Sequence, residues 1–204
     1  YTDDIIVRGG AGNDVIWTDQ GDDTLDGGAG ADRLDGGAGA DTATYDGSAA
    51  GVTVNLTTGR GSGGDAQGDS LYGVENLMGS DHADTLTGSA DANTLTGGAG
   101  NDTLQGLGGN DLMIGGAGSD RFVIGEADGD NMVKGGAGAG WTDTIQLTNA
   151  DASPVGKSWS IILNTGSIQD DDGSTMTLTD DAAGSITLAN GSQIAFEGIE
   201  NIEY

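Results

Sequence analysis

Aspartate recurs at a fixed interval along this chain. Asp14, Asp23, Asp32 and Asp41 lie nine residues apart, and so do Asp84, Asn93, Asp102, Asp111 and Asp120. Evenly spaced carboxylates do not read as an acid–base pair, because glycosidase-type chemistry needs two carboxyl groups facing each other across a cleft. A carboxylate repeated among glycines presents hard, negatively charged oxygens beside accessible backbone carbonyls. That is the donor set of Ca²⁺.

The elements that must position these aspartates follow from the same period. Four nine-residue units run from Gly9 to Thr44 and five from Gly79 to Val123. The first six residues of each unit are rich in glycine, which tolerates the positive φ and close backbone approach of a tight turn. The last three carry one large apolar residue, Ile16, Leu25, Leu34, Leu86, Leu95, Leu104, Met113 or Phe122. Three residues with one inward side chain make a very short strand. Two units then close one coil of a flattened parallel solenoid, and turns two units apart stack along the same edge.

Composition agrees. Gly is 41 of 204 residues with a single Pro, so the collagen repeat is excluded. Aromatics are 4% and hydrophobics 35%, too few for an ordinary core of this length. Net charge is −27, from 33 acidic against 6 basic residues, so the chain is either disordered or neutralised by cations. A nucleic-acid partner is excluded by charge. No apolar run reaches membrane length, and with no Cys there is no disulfide or thiolate site. The chain opens mid-pattern at Tyr1-Thr2-Asp3-Asp4, without a visible signal peptide, as a piece of a longer exported protein would.

The units match GGxGxDxUx, and four of them, starting at Gly9, Gly27, Gly97 and Gly115, do so almost fully. Over residues 1–146 the chain resembles the RTX calcium-binding β-roll domains of bacterial type I secretion substrates. The remainder resembles the C-terminal, secretion-targeting tail of such proteins. The resemblance implies an all-β, right-handed parallel β-roll with Ca²⁺ in its turns and a small antiparallel β cap at the C-terminus. It also implies a ligand set: one turn supplies the carbonyls of its second and fourth residues and its Asp, and the stacked turn supplies those of its first and third and its Asp. Gly10, Gly12 and Asp14 would then face Gly27, Ala29 and Asp32. Asp23 would pair with Asp41, whose turn holds Gly37 and Gly39, and Asp84 with Asp102, whose turn holds Gly98 and Gly100. Asn93 would pair with Asp111, whose turn holds Gly109, and Asp102 with Asp120, whose turn holds Gly115 and Ala117. Several Ca²⁺ ions, about five or more, are expected.

Departures from the pattern carry expectations too. Asn93 removes a charge and should weaken its site. Thr18-Asp19-Gln20 replaces the Gly-Gly opening and should distort the Asp23/Asp41 edge. Ser80 and Asp81, with Ala90 and Asp91, replace glycine in the turns beginning at Gly79 and Gly88.

The expected organisation is a first array over 1–44, a β insert over 45–78 that continues or bridges the roll, a second array over 79–146, and a C-terminal β cap over 147–204 that doubles as a secretion signal. Val52 to Leu56 alternates as a strand. Ser158 to Leu163, Met176 to Leu178, Ile186 to Leu188 and Gln193 to Phe196 read as antiparallel strands, with an Asn190-Gly191 turn. Gly73-Val74-Glu75-Asn76-Leu77 is echoed by Gly198-Ile199-Glu200-Asn201-Ile202. Caps hide the open edges of a solenoid.

Other chemistry is missing. His82 is the one histidine and lies in a turn, so no His-Glu-x-x-His zinc site exists. No Gly-x-Ser-x-Gly elbow occurs. Gly59 to Gly64 fits a Gly-x-Gly-x-x-Gly string but reads as a loop, and Asp170 to Gly173 lacks the ligand alternation and final Glu of an EF-hand. The chain is therefore expected not to be an enzyme. It reads as a secreted module of a larger adhesin or surface protein, with an upstream secreted enzyme such as a protease, lipase or epimerase as the alternative. Its expected partners are calcium ions, the type I secretion machinery during export, and cell-surface or lattice components.

Overall fold

A computed structural model describes residues 3–125, 128–136, 138, 140–148 and 159–204. It is all-β, built from a ten-stranded and a twelve-stranded sheet. Through the nonapeptide units, successive strands of one sheet are parallel and 18 residues apart, as in Val7↔Leu25, Ile16↔Leu34, Leu86↔Leu104 and Leu95↔Met113, and the interval lengthens in Met113↔Val133 and Phe122↔Ile145. Two nonapeptide units therefore make one coil, the first feeding one sheet and the second the other.

The inward apolar residue of each unit fills the space between the sheets. Ile16, Leu25, Leu34, Leu86, Leu95, Leu104, Met113 and Phe122 are all buried. One side chain per nine residues makes a core a single residue deep on each side, and burying a Leu is worth only about 1.5–3 kcal/mol.

Val15–Trp17, Arg33–Asp35 and Thr42–Thr44 have the three residues expected, but other strands are longer. Thr24–Ala29, Thr94–Ala99 and Leu112–Ala117 each run on through Gly-Gly-Ala of the next unit. The cause is stacking. Gly10 lies opposite Gly28, Ala11 opposite Ala29 and Gly98 opposite Gly116, so this part of each turn is itself in the ladder.

The insert bridges the arrays unevenly. In the ten-stranded sheet it adds one strand, Asn76–Met78, between Thr42–Thr44 and Thr94–Ala99. In the other sheet it adds three: Ser70–Tyr72, parallel to Arg33–Asp35, then Arg60–Ser62, antiparallel to both its neighbours, then Thr53–Asn55, parallel to Thr85–Ser89.

At the C-terminus, residues of the expected cap re-enter the roll. Gln193–Glu197 pairs parallel to Asn131–Lys134, and Asn201–Glu203 parallel to Thr144–Thr148, so these two strands form its last coil. Beyond them both sheets turn antiparallel, through Ala183–Thr187 and Ser160–Thr165 on one side and Thr175–Leu178 and Ile168–Asp171 on the other. Ile168–Asp171 was not foreseen, its four residues being all exposed. Ser158, the expected start of the first cap strand, lies outside the described residues. Trp159 closes the end, edge-on to Tyr204 with centroids 4.9 Å apart.

Candidate metal centre

The sixth residue of each nonapeptide starts where the turn meets the strand, so 18-residue stacking brings these residues into columns along both edges of the roll. All five expected pairs are in contact through one repeated bond. The backbone N–H of one Asp donates to Oδ1 of the residue stacked on it: Asp14 to Asp32 at 2.7 Å, Asp23 to Asp41 at 2.8 Å, Asp84 to Asp102 at 2.8 Å, Asn93 to Asp111 at 2.9 Å and Asp102 to Asp120 at 2.9 Å.

That bond uses one carboxylate oxygen. The other, Oδ2, is buried without a hydrogen-bond partner in Asp14, Asp23, Asp32, Asp41, Asp102, Asp111 and Asp120. It lies against the first glycine of its own turn: a Cβ placed on Gly27, Gly97, Gly106 or Gly115 would strike Oδ2 of Asp32, Asp102, Asp111 or Asp120. Backbone oxygens crowd the same place. A Cβ on Gly28 or Gly30 would overlap the carbonyl of Gly10 or Gly12, and one on Gly116 or Gly118 that of Gly98 or Gly100. The second and fourth carbonyls thus point at the turn above. The first carbonyl points back, with Gly27 O 2.7 Å from a Cβ on Gly9 and Gly115 O 2.7 Å from one on Gly97. The third also reaches across, since Ala29 accepts from Gly12 N–H at 2.8 Å and Ala117 from Gly100 N–H at 2.7 Å. Gly37 and Gly39 stack the same way over Asp19 and Gly21, and the Gly109 carbonyl meets Gly129.

Each bare Oδ2 thus faces carbonyl oxygens and meets no donor. An ionised carboxylate buried so is costly unless a cation joins it. Burial pushes the Asp102 carboxyl up to about 7, against the pull of the Asp84 N–H and with the charges of Asp120 and Asp84 adding to the rise. Burial also lifts Asp111 and Asp120 to about 6. No trio of Asp, Glu or His side chains converges among the described residues, so a metal here must draw on backbone carbonyls. Two carboxylates with several carbonyls, all hard oxygen, suit Ca²⁺.

The substituted turns differ in instructive ways. Ser80 donates to Asp84 Oδ2 from its backbone N–H at 2.6 Å and again from Oγ, while Val52 N–H reaches Oδ1 at 2.6 Å. Both oxygens of Asp84 are therefore served by protein donors. Asn93 Oδ1 accepts from Ser89 N–H at 2.7 Å, and its Nδ2 donates to the Glu75 carbonyl at 2.7 Å. The Thr18 turn is not distorted as expected. Asp23 keeps its bond to Asp41, Gln20 stays opposite Ala38, and the Thr18 hydroxyl takes the Gly36 carbonyl at 2.5 Å. His82 is exposed in its turn.

The columns extend beyond the residues the repeat had marked. Asp32 N–H donates to Asp69, Asp41 to Glu75, Asp111 to Asn131, Asp120 to Asp143 and Asp143 to Glu200. The nine-residue spacing is lost there, but one signal survives. Each of these residues stands two before a buried apolar residue, Leu71, Leu77, Val133, Ile145 or Ile202. Asp69 is a plugged position: its Oδ2 accepts from the Tyr45 hydroxyl at 3.1 Å, and burial first, with the Asp69 charge next, pushes the Tyr45 phenol up.

Stacked parallel coils with acceptor-only turns at both edges define a calcium-type β-roll. The family described as RTX calcium-binding nonapeptide repeat (4 copies) matches residues 8–43, 69–104, 78–112 and 87–122, less than half of the chain. The chain carries RTX calcium-binding nonapeptide repeats. No curated protein sequence matches it. Among solved structures it is similar to the extracellular lipase LipA from Serratia marcescens, at 19% identity and a TM-score of 0.25, over 97% of this chain and 37% of the lipase.

Proposed function

We propose that this chain is a calcium-triggered folding module of a secreted protein, non-catalytic itself, that supports the export and stability of a larger exoprotein of the adhesin or surface type. The observation that carries this reading is the set of buried, unpartnered Oδ2 atoms in the turn columns. At cytosolic Ca²⁺ these carboxylates repel one another within a chain of net charge −27 and hold it open, in the state a secretion channel of the type I machinery needs. Outside the cell the ions fill the turns and the thin apolar core closes behind them. Extracellular calcium modules bind at roughly 10⁻⁴–10⁻³ M. At about ten times such a constant each site adds about 1.4 kcal/mol, so a few sites match the whole stability of a small domain.

Circular dichroism of the purified chain tests this. In chelator the β signal should be largely absent, and it should return cooperatively as Ca²⁺ rises to ~10 mM. Mg²⁺ should substitute poorly, since it demands near-octahedral geometry and dehydrates reluctantly. Equal β content with and without Ca²⁺ would sink the proposal.

A further inference from the structure

The two Gly-x-Glu-Asn segments that lie outside the nonapeptide units fold alike. Each is a three-residue turn joining a strand of one sheet to a strand of the other: Gly73 to Glu75 links Ser70–Tyr72 to Asn76–Met78, and Gly198 to Glu200 links Gln193–Glu197 to Asn201–Glu203. Both glycines have positive φ, 52° and 62°. Each turn stacks on a longer segment that ends in a buried Asp, Asp41 or Asp143.

The same four bonds recur. Asp41 N–H donates to Glu75 Oε2 at 2.9 Å, and Asp143 N–H to Glu200 Oε2 at 2.6 Å. The Asp41 carbonyl accepts from Glu75 N–H at 3.1 Å and Asn76 N–H at 2.8 Å, while the Asp143 carbonyl accepts from Glu200 at 3.1 Å and Asn201 at 3.0 Å. Gly36 N–H donates to Tyr72 O, and Gly135 N–H to Glu197 O, both at 3.0 Å. The glutamate makes the contact that Asp makes elsewhere, from a shorter turn, with a side chain one methylene longer.

The oxygens around it are again acceptors. Asp41 is 0% exposed and its Oδ2 has no partner. That atom lies against Gly36, where the Gly73 carbonyl also converges, and the Gly37 carbonyl is 3.0 Å from a Cβ placed on Gly73. In the C-terminal copy, Asp143 Oδ2 and the Gly198 carbonyl converge on Gly135 in the same way, and the Gly136 carbonyl meets Gly198. The described Arg and Lys ion pairs use Asp26, Asp35, Glu203 and Glu197, none of them a member of these two sites.

We propose that each Gly-x-Glu turn closes a calcium site of its own with the longer segment below it, Asp41 with Glu75 and Asp143 with Glu200, helped by the carbonyls of Gly37 and Gly73 or of Gly136 and Gly198. The ion column on this edge then reaches the insert, and a second ion pins the last coil to the array. This rests on the repeats binding Ca²⁺ as proposed above.

Ca²⁺ bound per chain, measured by elemental analysis after equilibration at saturating Ca²⁺, decides it. Glu75→Gln keeps an acceptor for the Asp41 N–H but removes the charge. Glu75→Gln and Glu200→Gln should each lose one ion, and the double variant two, with an unchanged circular dichroism spectrum. Folded single variants that keep the full wild-type count would overturn the inference. If Glu75→Gln does not fold, Glu200→Gln alone settles the matter by the same count. A wild-type chain that binds no Ca²⁺ would instead defeat the proposed function.

Discussion

Asp84 and Asp102 occupy the same place in successive coils of one edge, 18 residues apart and directly bonded, yet their surroundings differ. Asp84 sits in a turn whose second residue is Ser80, and both its oxygens accept protein hydrogen bonds. Asp102 sits in a turn whose second residue is Gly98, at φ 114°, and its Oδ2 has no partner. A seryl side chain disfavours positive φ, so the Ser80 turn takes another backbone path and aims its N–H at the carboxylate. In this turn the exchange at the second position goes with closure by the protein, whereas Leu107 at the same place keeps a positive φ of 70° and Asp111 Oδ2 stays bare. The same division separates Asp69, closed by the Tyr45 hydroxyl, from Asp32 and Asp41. The roll thus holds turns whose Oδ2 is bare beside turns that supply their own donors, and the latter flank the insert.

The largest effect should come from Asp102, which is bonded to both Asp84 and Asp120. Asp102→Asn should shift the Ca²⁺ midpoint of folding upward by on the order of tenfold, about 1.4 kcal/mol for each lost ligand role, because Nδ2 would turn a donor toward carbonyls as Asn93 does. Asp84→Asn should move it far less. Equal shifts in a calcium titration would erase the distinction between the two turns.

Next in size is the effect of pH. In the ion-free roll Asp102 titrates near 7, and Asp111, Asp120 and Asp143 near 6, all raised by burial above the ordinary 3.8. Between about 4 and 7 the folded state therefore holds protons that the unfolded state has released, and folding without Ca²⁺ weakens as pH rises through that window. In chelator, β content should be higher near pH 4.5 than at pH 7.5. With Ca²⁺ the trend reverses, because the ligands must be deprotonated: the midpoint should rise as pH falls below about 7. Circular dichroism at both pH values, with and without Ca²⁺, checks both signs.

The smallest effect sharpens the comparison from the other side. Ser80→Gly should free Asp84 Oδ2, costing the ion-free state about 1 kcal/mol of hydrogen bonding and adding one bound Ca²⁺ per chain. An unchanged count would mean that the second residue does not control occupancy.

The nine-residue period fixed a great deal from the chain alone. It placed Leu34 over Ile16 and Leu104 over Leu86, set the 18-residue coil, and paired all five sets of stacked sixth residues, because a solenoid repeats one local geometry and long-range register follows from counting. What the period could not carry was the insert and the last coil. There the stacking intervals become 37 from Asp32 to Asp69, 34 from Asp41 to Glu75 and 57 from Asp143 to Glu200, since whole hairpins intervene between one coil and the next. Nor could spacing tell a calcium turn from a closed one. Ser80, Thr18 and Tyr45 are small features in sequence, and only the folded backbone decides where their donors point: Ser80 at the Asp84 carboxylate, Thr18 at the Gly36 carbonyl, and Tyr45 at Asp69, 24 residues on.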